Sequence, residues 1–202
     1  MRAPTILVLA ACAIGCANPA VDDRIEALGE EPLPDLNDFS YHRPGQPCVL
    51  CHGEYEEEDP IMSIGGTVFQ TPKKRIPVEN ARVRVWDSSG EPPRDKLTNC
   101  VGNFWFTKEE WNPLFPLHIE IEYQLEGDDD FRVQPMLSRV GRDGSCAGCH
   151  QDTPEPNTQY SPGRVYCTQD EATKFRRIRE DCPVPPPVEQ PAAPEPASWE
   201  EP

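Results

Sequence analysis

Apolar and polar residues alternate along three stretches in the middle of the chain. In Ala81-Arg82-Val83-Arg84-Val85-Trp86 the valines face one way and the arginines the other, which is the period of a half-buried strand. Leu117, Ile119, Ile121, Tyr123 and Leu125 alternate in the same way with His118, Glu120, Glu122 and Gln124. Phe131, Val133, Pro135 and Leu137 continue a weaker alternation, which assigns Met136 to the opposite, outward face. Residues 64–69 and 102–106 supply further strands, punctuated by Ser88-Ser89-Gly90 and by prolines. Short strands separated by Gly, Pro and Asp turns predict a mainly β chain with a small antiparallel sandwich over residues 62–138.

The flanks lack this period. Residues 17–44 carry Pro19, Pro32, Pro34 and Pro44 among acidic and small residues, and are expected to be a flexible tether with a short helical patch at 23–29. Residues 183–202 are rich in Pro, Ala and Glu, cannot build an apolar core, and are expected to be disordered. Between residues 168 and 181 the spacing predicts one short C-terminal helix. Thr168 and Glu171 would form its capping box, and Ala172, Phe175 and Ile178 its apolar stripe. Lys174, Arg176, Arg177 and Arg179 make this the basic segment of an otherwise acidic chain.

At the amino terminus Arg2 precedes an apolar run too short to span a bilayer, so residues 1–16 read as a secretion signal. The segments ending at Cys12 and at Cys16 both resemble the lipobox of bacterial lipoproteins. Cys16 leaves the more usual signal length and Cys12 is the alternative lipidation site. The expectation is export and a lipid anchor in a bacterial cell envelope, on the periplasmic face or the outer surface. A formal net charge of −16, with no Lys/Arg cluster large enough to offset it, excludes nucleic acid as a partner.

Two motifs carry the candidate chemistry. Cys48-Val-Leu-Cys51-His52 lies in the segment 45–61 before the strands, and Cys146-Ala-Gly-Cys149-His150 lies in the segment 139–182 after them. Each is a CxxCH, the arrangement that attaches a c-type haem. Two cysteines three apart reach the vinyl groups on one porphyrin edge, and the adjacent histidine swings beneath the ring to give a nitrogen to iron. The expected cofactors are therefore two covalent haems c, held by Cys48, Cys51, Cys146 and Cys149, with His52 and His150 as proximal ligands.

Only four histidines occur in the chain, which leaves His42 and His118 as candidate distal ligands, one for each iron in either assignment. Met62 and Met136 are the rival ligands. The acidic run Glu54, Glu56, Glu57, Glu58 and Asp59 beside the first motif suits steering of a basic redox partner. Cys100, Cys167 and Cys182 remain. In an oxidising compartment Cys100 would pair with Cys167 or Cys182, stapling the C-terminal segment to the sandwich and leaving one thiol over.

Three segments of the middle region carry a resemblance to a known family. They are Gly65-Gly66-Thr67-Val68-Phe69, Pro77-Val78-Glu79-Asn80-Ala81-Arg82-Val83-Arg84-Val85 and Thr98-Asn99-Cys100-Val101-Gly102-Asn103-Phe104. Together they resemble the carboxypeptidase-regulatory or transthyretin-like β-sandwich family over about 75 residues. The insert at 108–116 and the missing closing signature depart from its pattern. The resemblance implies a transthyretin-like or Ig-like sandwich flanked by haem-binding loops, serving as a spacer or binding scaffold.

The leading functional expectation is an envelope dihaem cytochrome that carries electrons as a subunit or partner of a larger redox complex, and is not itself an enzyme. The alternative is a haem-free exported scaffold or binding module whose CxxC pairs hold one zinc ion or form disulfides. A peroxidase-like haem enzyme ranks third, since that chemistry requires an open iron position.

Overall fold

The structure is a computed structural model that describes residues 18–31, 39–54, 58–151 and 161–183. The lipidation candidates Cys12 and Cys16, Glu56 and Glu57 of the acidic run, and the tail from residue 184 lie outside the described residues.

Six strands form two antiparallel sheets: β1 (Met62–Thr67), β2 (Arg82–Trp86), β3 (Arg94–Leu97), β4 (Asn103–Thr107), β5 (His118–Tyr123) and β6 (Arg132–Pro135). One sheet is the pair β1-β4, and the other runs β3-β2-β5-β6. Ile64, Phe104 and Phe106 from the pair join Val83, Val85, Ile119 and Ile121 from the larger sheet in one hydrophobic cluster. This is the mainly β, sandwich-like architecture that the alternation predicts, because one face of each strand has to leave water. In β2 and β5 the valines and isoleucines are buried, while Arg82, Arg84 and Glu122 join in ion pairs across the other face, with Arg84 to Glu122 at 2.6 Å.

β1 behaves differently. All six of its residues are buried, since the core and the second CxxCH segment cover one face and the first CxxCH segment the other. The turn before β4 is organised by Asn99, whose Oδ1 accepts from the backbone N–H groups of Val101 (3.1 Å) and Asn103 (3.0 Å). Gly102 has φ +79° in this turn, and a Cβ there would sit 2.5 Å from the Val68 carbonyl oxygen.

Four expectations are corrected. The helix over 168–181 does not form: Thr168 closes a local turn on Asp170, and Glu171 accepts from Thr71 Oγ1 (2.9 Å) instead of capping. The segment runs as a strap, with Phe175 buried, bridged to Leu125 and stacked on Tyr123, and with Cys182 disulfide-bonded to Cys100. Long-range pairing and the covalent tie outcompete the marginal stability of one short helix. The CxxC segments, expected as loops, are single helical turns, α2 (Cys48–Cys51) and α3 (Cys146–Cys149).

The faces of β6 are reversed. Val133 pairs with Glu122 of the outer face, so Phe131, Val133 and Leu137 are exposed, and Met136 packs inward on the core. A one-residue change of register moves every side chain to the other face. Finally, the helical patch expected at 23–29 within the tether lies earlier, as α1 (Pro19–Glu26), which packs near α2. β3, whose sequence Arg-Asp-Lys-Leu has no apolar alternation, is an edge strand that the pattern does not reveal.

Candidate functional site

The first CxxCH turn opens onto a cavity of about 980 Å³, near the upper end of the range for small-molecule and cofactor sites, roughly 300–1,000 Å³. Cys48, Cys51 and His52 line it together with His42, Met62, Phe104 and Trp105, and Ile25 and Leu28 from α1 and its end add apolar wall. The structure thus brings together the first motif and two of its candidate distal ligands. The His42 and His52 rings stand 5.6 Å apart between centroids and are tilted by 56°.

Tertiary hydrogen bonds position the His52 ring and the loop that bears His42. His52 Nδ1 lies 3.1 Å from the Glu58 carbonyl oxygen. A carbonyl can only accept, so Nδ1 carries the proton and Nε2 keeps its lone pair for a metal. The loop bearing His42 is fastened to β1 and β4. Asn103 Nδ2 donates to the His42 carbonyl (3.0 Å), and Asn99 Nδ2 donates to the Ser40 carbonyl (2.6 Å). Thr67 Oγ1 accepts from the Gly45 N–H (2.7 Å) and donates to Asn103 Oδ1 (2.6 Å). Sequence reasoning missed Thr67, Asn99 and Asn103 as supports; the signal available was the polar cluster Asn99 to Asn103 inside a strand-turn-strand pattern.

The second turn is built alike at the histidine. His150 Nδ1 lies 2.8 Å from the Gly163 carbonyl oxygen, again leaving Nε2 free to ligate. Burial holds the His150 pKa below its ordinary value, against the opposing hydrogen bond to Gly163, so the ring is neutral near pH 7. Ser161 Oγ pins the motif's end by donating to the Cys149 carbonyl and accepting from the Gln151 N–H, each at 3.0 Å.

His118 is not brought to this second motif. It stands on β5 with its ring 5.4 Å from Trp86 and its Nε2 3.3 Å from Glu120. Met136 is part of the core packing. Glu54 of the acidic run is ion-paired to Lys108, while Glu58 and Asp59 line the first cavity. Two basic residues of the strap are engaged with acidic partners, Arg179 with Glu79 and Arg176 with Asp129.

Burial pushes the Cys48 thiol up to about 11, with Cys51 adding to the effect, and the Cys146 thiol up to about 12, with Cys48 and Asp143 adding to it. Both therefore stay protonated at neutral pH. Cys100 and Cys182 form the disulfide, and Cys167 is the thiol left over, fully buried in the core with its pKa raised by burial. Among the described residues, no three His, Cys, Asp or Glu side chains converge as a metal-ion ligand group, and no helix is long and apolar enough to cross a membrane.

No protein-family model, no curated protein and no solved structure matches this chain.

Proposed function

We propose that this chain is an exported dihaem c-type cytochrome that carries electrons, anchored to the cell envelope through Cys16 or Cys12 and exchanging electrons with a basic redox protein. The observation that carries the reading is the proximity of the His42 and His52 rings in the cavity that Cys48 and Cys51 also line. An iron held between two imidazoles by metal–nitrogen bonds of about 2 Å would set their centroids about 6 Å apart, close to the observed 5.6 Å. Cys48 and Cys51 would hold the first haem, with His52 and His42 as its axial ligands. Cys146, Cys149 and His150 would hold the second.

Bound haem supplies a one-electron iron centre. The residues of this chain do the rest. The Glu58 and Gly163 carbonyls orient the two proximal imidazoles, and Thr67, Asn99 and Asn103 hold the His42 loop over the first site. Ile25, Leu28, Phe104 and Trp105 wall part of that cavity with apolar surface, which shields a charge-changing centre from water. The sandwich, proposed to be of the transthyretin-like kind, is the frame to which both sites are attached.

The zinc alternative fits the geometry poorly. Cys48 and Cys146 contact adjacent residues on opposite faces of β1, whereas a four-thiolate ion needs all its sulfurs about 2.3 Å from one centre. The test is a pyridine haemochrome assay with reduced-minus-oxidised spectra on protein purified from an envelope fraction. Two covalent haems per chain are expected. Haem-free protein containing one zinc would overturn the proposal in favour of the scaffold.

A further inference from the structure

β1 carries two adjacent glycines at its centre, and neighbouring residues of a strand look to opposite faces. A Cβ on Gly65 would lie 2.8 Å from Cys48 Cβ and 3.1 Å from its Sγ. A Cβ on Gly66 would lie 2.7 Å from both Cβ and Sγ of Cys146. Each cysteine thus occupies the space where a side chain would stand, and the two CxxCH turns sit back to back with one strand between them.

Backbone bonds hold both turns to that strand. The Met62 N–H donates to the His52 carbonyl (2.7 Å), and the Gly65 N–H donates to the Gly144 carbonyl (3.0 Å). Gly144 approaches so closely that a Cβ there would sit 1.9 Å from the Ser63 carbonyl oxygen. Consecutive Cα atoms are about 3.8 Å apart, so these contacts bound the separation of the Cys48 and Cys146 sulfurs at no more than about 13 Å.

We propose that Gly65 and Gly66 are positioning residues that seat the two haem-attachment turns on one strand, making the two haems a single electronically coupled pair that exchanges electrons across β1. This rests on the dihaem reading. The exchange balances without a co-reactant: one electron leaves one iron, which is oxidised, and reduces the other. Alanine at either position forces its turn outward, because a methyl group cannot share the volume of a cysteine side chain.

The experiment uses full-length holoprotein and begins with the haem count, so that fewer than two haems in the wild type overturns the underlying reading together with the pair. With two haems present, the oxidised protein should show a two-signed Soret circular dichroism couplet. The summed spectra of the single-haem variants, Cys48→Ala/Cys51→Ala and Cys146→Ala/Cys149→Ala, should lack it. A wild-type spectrum equal to that sum overturns the pair and leaves the dihaem reading intact. Should a single-haem variant fail to accumulate, electron paramagnetic resonance of the oxidised wild type decides. Spin–spin broadening is expected, and two unbroadened independent signals overturn the pair. Gly65→Ala and Gly66→Ala should each lower the couplet at least twofold. Gly141→Ala, whose Cβ meets nothing within 4 Å, should leave it unchanged. An undiminished couplet in both strand variants overturns the positioning role.

Discussion

At the first CxxCH turn, the His52 ring lies 5.6 Å from that of His42, and both line one cavity with Met62. At the second, the same turn carries a histidine bonded in the same way to a backbone carbonyl, yet His118 stays with Trp86 and Glu120. In the proposed function, five residues supply attachment and the proximal ligand in both places, because those functions need only a short stretch of chain. Part of the first site's wall comes from residues far along the chain, Phe104 and Trp105 among them. His42 is held by Asn103, 61 residues on, and that bond has no counterpart at His118. The two haems are therefore expected to differ in ligation although their motifs match.

The largest effect should come from removing one site altogether. Cys48→Ala/Cys51→Ala should lower covalent haem per chain to about half, as read by pyridine haemochrome, because each motif loads its own haem. Unchanged loading would break the comparison at its base. Next, His42→Ala should turn the low-spin signal of the first haem high-spin and open that iron to carbon monoxide, whereas His118→Ala should leave the spin state as it was. If His118→Ala produces the larger spin change, the assignment of distal ligands is reversed.

A smaller effect tests how the sites communicate. The Cys100–Cys182 disulfide closes 82 residues and joins the strap after the second motif to the Asn99 turn that holds the His42 loop. Cys100→Ser/Cys182→Ser should cost about 2–4 kcal/mol in chemical denaturation, and should loosen ligation at the first haem before the second. Equal loosening of both would show that the strap supports the fold generally. The smallest effect is on stability at His118, where replacement by Ala should change unfolding free energy by no more than about 0.5 kcal/mol, as at an ordinary surface position.

β2 and β5 were legible because their faces differ in polarity at every step, and the antiparallel sandwich follows from burying those faces. β3 was not, since an edge strand with no buried face leaves no periodic mark. The strap shows the opposite failure: Thr168, Glu171 and the stripe through Phe175 satisfy every local rule for a helix. Pairing with Leu125, the bond to Thr71 and the tie to Cys100 satisfy the same groups elsewhere. β6 was found, but its faces were inverted, because register depends on the neighbouring strand and weak alternation does not specify it.

The amino-acid sequence by itself determined the two CxxCH motifs, the strands with strong alternation and the acidic character of the chain. These are short-range properties, carried by residue type and spacing. Only the tertiary structure decided that the His42 and His52 rings stand 5.6 Å apart, that Cys100 pairs with Cys182, and that Cys48 and Cys146 meet across Gly65 and Gly66. The two cysteine pairs join residues far apart along the chain, and the His42 loop is held by Asn103, 61 residues on, so all three depend on how sheets, loops and strap pack together.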